Sequence, residues 1–157
     1  MANIVCLPIP ENQARHLQAG GPDAYGLKPE RRRSDGNGVP CRHCLQNVEA
    51  GDDYLVLAYR PFPTLQPYAE TGPIFLHADA CANAGRLPGL PAMLFDTPDY
   101  IVRGYGSDDR IVYGSGKVVA IRRIEARAAE LLDSEDIAYV HVRSARNNCY
   151  QLRIERD

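Results

Sequence analysis

Cys41-Arg42-His43-Cys44 opens, and His77-Ala78-Asp79-Ala80-Cys81 closes, the stretch of chain whose reading decides the fold. Two cysteines three apart suit a tight knuckle, and a histidine and a cysteine four apart fall on one face of a starting helix. Cys41, Cys44, His77 and Cys81 together offer three thiolates and one imidazole, the donor set of a tetrahedral structural zinc. Four protein ligands leave no coordination position for a substrate, so the expected cofactor is a structural zinc. The competing reading makes Cys41 and Cys44 small apolar residues or a redox pair, and His77 a core histidine. A thioredoxin-like dithiol needs its CxxC at a strand-to-helix turn, and here a turn and a hairpin follow. His43 could also replace a ligand, yet it lies inside the knuckle, where its ring is expected to point outward.

Between the two ligand pairs, Tyr54-Leu55-Val56-Leu57-Ala58-Tyr59 is a short, nearly continuous apolar run that reads as a buried strand. Pro61 and Pro63 stop it, because proline donates nothing to a ladder. Pro73-Ile74-Phe75-Leu76 reads as a second strand that delivers His77. Knuckle, strand pair and ligand-bearing helix follow the order of a treble-clef zinc element. Upstream, residues 1–40 are rich in Gly, Pro and charge and read as an irregular N-terminal arm, with one short helix around Glu11 to Gln18 and apolar anchors at Ile4, Val5, Leu7 and Ile9.

Downstream of the zinc element, residues 82–157 read as strands, one helix and a C-terminal hairpin, with Gly85 ending the helix that carries Cys81. Residues 87–98 form a Pro-rich covering loop anchored by Leu90, Met93, Leu94 and Phe95. Tyr100-Ile101-Val102-Arg103 and Ile111-Val112-Tyr113 read as strands around a turn. The Gly104-Tyr105-Gly106 and Gly114-Ser115-Gly116 triplets are turns, since neither continues into a phosphate-loop pattern. Ile121, Ile124, Ala128, Leu131 and Leu132 recur at helical spacing and predict a helix with a core-facing stripe.

Two alternating runs, Ala138-Tyr139-Val140-His141-Val142-Arg143 and Cys149-Tyr150-Gln151-Leu152-Arg153-Ile154, predict the closing hairpin. With Arg143 opposite Cys149, His141 faces Gln151 and Tyr139 faces Arg153 on one surface. Val140, Val142, Tyr150, Leu152 and Ile154 then make the buried face. One reading leaves that polar surface simply solvated, with Cys149 a small buried residue. The sharper one makes Cys149, Arg143 and His141 the candidate catalytic or anion-binding group, because a cross-strand guanidinium stabilises a thiolate and Arg143 with Arg153 suits a small anionic ligand.

The chain's 157 residues, 45% hydrophobic and 24% charged, fit one soluble domain spanning residues 1–157. A formal charge of −2 and a pI near 6.1 give no global attraction to nucleic acid or to an anionic membrane, although Arg31-Arg32-Arg33 is locally basic. No run approaches a membrane span and the N-terminus lacks a signal-peptide pattern, so a cytoplasmic location is expected. Five cysteines in a reducing compartment fit metal binding plus spare thiols. Three function classes follow: a metal-stabilised binding or regulatory module, which the site favours; an enzyme using the hairpin face; and a nucleic-acid binder using Arg31 to Arg33.

Four separated motifs carry a family resemblance: Cys41-Arg42-His43-Cys44-Leu45; Tyr59-Arg60-Pro61-Phe62; the run from Gly72 to Cys81; and the run from Tyr139 to Tyr150. In these the chain resembles the uncharacterised bacterial family catalogued as domain of unknown function 1203. The resemblance implies a small bacterial cytosolic protein with no assigned activity, and it brings no catalytic residues with it. The fold class expected is α+β, with a mixed, largely antiparallel sheet, few helices and the treble-clef-like zinc element.

Overall fold

The computed structural model describes all 157 residues. In chain order the elements are β1 (Ile4–Leu7), α1 (Glu11–Gln18), β2 (Glu30–Arg33), β3 (Asp53–Tyr59), β4 (Gly72–His77), β5 (Asp99–Tyr105), β6 (Lys117–Ala120), α2 (Ile124–Leu132), β7 (Tyr139–Ser144) and β8 (Tyr150–Arg156). The strands form a five-stranded sheet in the order β1-β8-β7-β5-β6 and a three-stranded sheet in the order β2-β3-β4. Every strand pairing is antiparallel, and the fold is α+β.

Each sheet buries one face against a helix. Ile124, Ala128, Leu131 and Leu132 of α2 pack on Val102, Val140, Val142, Leu152 and Ile154 of the larger sheet, as the helical stripe and the strand alternation require. Gly104 of β5 is bare for a reason: a Cβ there would sit 2.8 Å from Ile137 Cδ1, so the Ile137 side chain would have to give way. In the smaller sheet, Leu55 and Leu57 of β3 and Ile74 and Leu76 of β4 meet Ala14 and Leu17 of α1.

The N-terminal arm is more ordered than its composition indicates. The helix from Glu11 to Gln18 is present, but β1 and β2 were not expected. Both are four-residue edge strands. β2 (Glu30-Arg31-Arg32-Arg33) is exposed throughout and shows no alternation, because it pairs with β3 through its backbone and surface ion pairs and buries no side chain. The strand expected at Ile111-Val112-Tyr113 shrinks to one bridge between Ile111 and Tyr105, and Tyr113 is exposed. Lys117–Ala120 pairs with β5 instead, after Ser115 Oγ has fastened the intervening loop to Gly104. Within residues 87–98, Met93 and Leu94 are buried anchors, whereas Phe95 is exposed on a turn of 3-10 helix.

The C-terminal hairpin forms with a different register. Val142 faces Leu152, but Arg143 faces Tyr150, so a bulge sits between Val142 and Arg143. Strict alternation would put Tyr150 beside Val142 and Leu152. The bulge carries it to the other face instead, where its ring meets His141 at 4.9 Å and the Arg143 guanidinium at 5.9 Å.

Candidate metal centre

The knuckle is built by a backbone turn. Leu45 adopts φ +57, its N–H donates to the Cys41 carbonyl, and the Cys41 N–H donates to Gln46. Pro40 and Asn47 bridge below it, and Cys41 pairs in parallel with Phe75 of β4. That last bridge sets the knuckle beside the end of β4, where His77 emerges.

The loop after β4 closes the site without a helix. Residues 78–86 are irregular, which corrects the expected helix face for His77 and Cys81. The reason is competition for the carbonyls that a helix would need. Gln18 Nε2 takes those of His77 (3.0 Å) and Asp79 (3.1 Å), and Arg15 Nη2 takes that of Cys81 (2.7 Å). The last turns of α1 thus hold the loop, and the Ala84 N–H ties it to the His43 carbonyl at 3.1 Å. Knuckle and hairpin are in the treble-clef order; α1, from upstream, buttresses the loop where the downstream helix was expected.

Cys41 Sγ, Cys44 Sγ, His77 Nδ1/Nε2 and Cys81 Sγ offer donor atoms that all lie within 4.8 Å of one another. A tetrahedral zinc with thiolates at ~2.3 Å and imidazole at ~2.05 Å puts its sulfurs about 3.8 Å apart and its nitrogen about 3.6 Å from each sulfur. Cys41 and Cys81 sulfurs are 3.9 Å apart, and Cys44 Sγ is 3.4 Å from His77 Nδ1. The electrostatics agree with a cation. Hydrogen bonds from the Cys44 and Cys81 thiols, with amides of Cys44 and His77, hold Cys41 far below the thiol range despite burial. The hydrogen bonds that Cys44 and Cys81 donate to Cys41, and then burial, push those two thiols up. A divalent cation would replace the shared protons as the counter-charge. The cluster therefore fits a metal.

His43 corrects its expected outward turn. Its side chain is fully buried, with Nδ1 3.1 Å from Cys81 Sγ, in position to donate to that sulfur. Burial lowers its pKa below the ordinary imidazole value. Such outer partners orient a ligand and tune its charge. Arg15 and Gln18 are not among the residues expected at the site, and His43 is expected there only as a substitute ligand. An i, i+3 pair of polar residues on a short N-terminal helix carries no local sign of where its polar face will dock.

Of the second candidate group, the structure keeps His141 and Arg143 together and removes Cys149. The bulge leaves Cys149 outside β8, in the turn, where its carbonyl accepts from the Ser144 N–H at 2.9 Å. Its side chain lines a cavity of about 510 Å³ with Arg42, Asn147 and Gln151. Arg143 turns to Asn148 O at 3.1 Å and to Glu70 at 3.6 Å. His141 faces Arg153 rather than Gln151. Nor is this face a solvated surface, since His141 is 0% and Arg143 2% exposed. The loop after β3 covers it, with Phe62 buried against the His141 ring at 5.2 Å.

Two antiparallel sheets, two helices and a Cys3His cluster compatible with a metal ion define a small α+β protein. The chain belongs to the family described as "Protein of unknown function (DUF1203)", whose model matches residues 38–156. No curated protein and no solved structure matches the chain. No helix is long and apolar enough to cross a membrane.

Proposed function

We propose that this chain is a zinc-stabilised binding or regulatory module. Cys41, Cys44, His77 and Cys81 hold the metal, which supplies cross-linking between the knuckle, the end of β4 and the loop that α1 supports. The observation that carries this is the convergence of four soft donors within 4.8 Å. They fill a tetrahedral shell and leave no open position for a substrate. The five cysteines are all free thiols, which fits a reducing compartment, and we place the protein in the cytoplasm.

Nucleic acid is not the partner in this reading. Arg31 Nε lies 2.7 Å from Asp53 and Nη2 3.7 Å from Asp79, Arg32 pairs with Glu30 at 2.8 Å, and Arg33 lies 3.6 Å from Asp53. Guanidiniums already neutralised by carboxylates release few counterions on a phosphate backbone. Metal analysis of protein purified without chelator tests the proposal: the expected result is one zinc per chain, lost with the cooperative fold in Cys81→Ser. Metal-free protein of unchanged thermal stability would overturn it.

A further inference from the structure

His141 sits in a box of four rings, with centroids of Tyr105 at 4.8 Å, Tyr150 at 4.9 Å, Tyr139 at 5.0 Å and Phe62 at 5.2 Å. Neither of its buried ring nitrogens has a hydrogen-bond partner. Beside it, Arg143 leaves Nε and Nη2 equally unpartnered. Buried polar atoms are otherwise almost always bonded, and the two His141 nitrogens, on a residue that lines a cleft from which Arg143 is absent, mark a place prepared for something else.

The same face is cationic. Four guanidiniums, Arg60, Arg103, Arg143 and Arg153, meet two carboxylates that pair with them. Glu70 takes Arg103 at 2.6 Å and Arg143 at 3.6 Å, and Glu155 takes Arg153 at 2.5 Å. Asp109 is engaged by the Tyr139 hydroxyl at 2.7 Å. Arg60 has no carboxylate; it donates to the carbonyls of Phe62 and Pro63. A cleft of about 340 Å³ opens between the sheets here, lined by His141, Tyr59, Arg60, Phe62, Tyr150 and Arg153 among others. Burial, and then the charges of Arg143, Arg153 and Arg103, keep the imidazole neutral, so it offers one N–H donor without adding charge.

We propose that this cleft binds a small organic acid with a flat apolar body, its carboxylate held by Arg60 and a ring N–H of His141 and its body laid against Tyr59, Phe62 and Tyr150. The chemistry follows from the lining. Guanidiniums recognise carboxylates by charge-assisted hydrogen bonds, and tyrosine and phenylalanine rings cover a planar body. This names the ligand class for the binding module proposed above and rests on that reading; the cleft contains no metal ligand, so the two can fail separately.

Benzoate is the probe, followed by calorimetric titration and by the ring resonances of His141 and Tyr150. Saturable binding with a Kd of about 1 mM or tighter is expected. Arg60→Gln should weaken it about tenfold, the worth of one charge-assisted contact, while the protein keeps its cooperative unfolding transition. His141→Phe should abolish it and raise the Tm of ligand-free protein by about 3 °C, because removing unsatisfied buried nitrogens relieves a penalty that only the ligand otherwise meets. Zinc content should stay at one per chain in both variants. Absence of saturable benzoate binding overturns the proposal. So does binding of benzyl alcohol as tight as benzoate, or of inorganic phosphate in its place. If His141→Phe lowers Tm and spares benzoate binding, the imidazole serves the fold alone and the assignment falls; should that variant not fold, Arg60→Gln decides.

Discussion

The Cys3His cluster and the His141 box are both places where the interior collects polar side chains, and they do so in opposite ways. At the cluster the donors point at one another, four of them within 4.8 Å, so a single divalent ion would satisfy them all. In the box, His141 and Arg143 are walled by rings and leave four nitrogens with no partner. A set of groups that satisfies itself around an ion favours stability, whereas one left unsatisfied lowers stability and is retained where binding requires it. Arg42 joins the two regions. It lies in the knuckle, yet its Nε donates to Tyr150 O at 2.7 Å and its Nη1 to Pro40 O at 2.6 Å.

Cys81→Ser tests the self-satisfied half and should have the largest effect. Structural zinc binding of this type is worth about 10–16 kcal/mol, comparable to the whole stability of a domain. The expected outcome is loss of the cooperative unfolding transition in calorimetry, and a retained transition breaks the contrast. Next comes Arg42→Met, which leaves two carbonyls without their donor and should cost about 2–4 kcal/mol in urea denaturation. Burial pushes the Arg42 guanidinium down to about 10, so it stays charged at neutral pH. An unchanged midpoint would make knuckle and hairpin independent.

A pH titration sharpens the other half. The folded-state pKa of His141 lies well below the ordinary imidazole value of 6.5, chiefly from burial. As pH falls below 6.5 the unfolded chain takes up a proton that the folded chain refuses. The stability tied to neutral His141 is therefore complete above that pH and declines below it, by up to about 1.4 kcal/mol per pH unit. Between pH 6.5 and 5, wild type should lose more stability than His141→Phe, and parallel curves would show that the imidazole is not held neutral. The smallest effect belongs to Gln18→Ala, which should cost about 1 kcal/mol and speed zinc loss to a chelator. Unaltered release would mean that α1 does not restrain the loop.

The clustering of Cys41, Cys44, His77 and Cys81 was legible in sequence and the scaffold around them was not. CxxC and HxxxC spacings are local, and donors so spaced converge in a knuckle and a tight loop alike. The expected helix at Cys81 failed because Arg15 and Gln18, more than fifty residues upstream, claim its carbonyls, a tertiary contact that overrides local pattern. Alternation from Tyr139 to Val142 gave the right strand and the right buried valines, but one bulge moved Tyr150 across the sheet and Cys149 out of it. No residue type announces a bulge. β1 and β2 were hidden because edge strands of four residues are held by backbone pairing with β8 and β3, and that leaves little imprint on side-chain pattern.

One further consequence attaches to β1. The family match starts at residue 38, while Ile4–Leu7 closes the outer side of β8, pairing Ile4 with Arg156 through Leu7 with Arg153. A fragment trimmed to the matched region would bare the outer side of β8 from Arg153 to Arg156, leaving β8 as an uncovered edge strand. Open edges of this kind template pairing between molecules. Such a fragment should self-associate by strand addition, so that the first thirty-seven residues act as the protein's safeguard against aggregation.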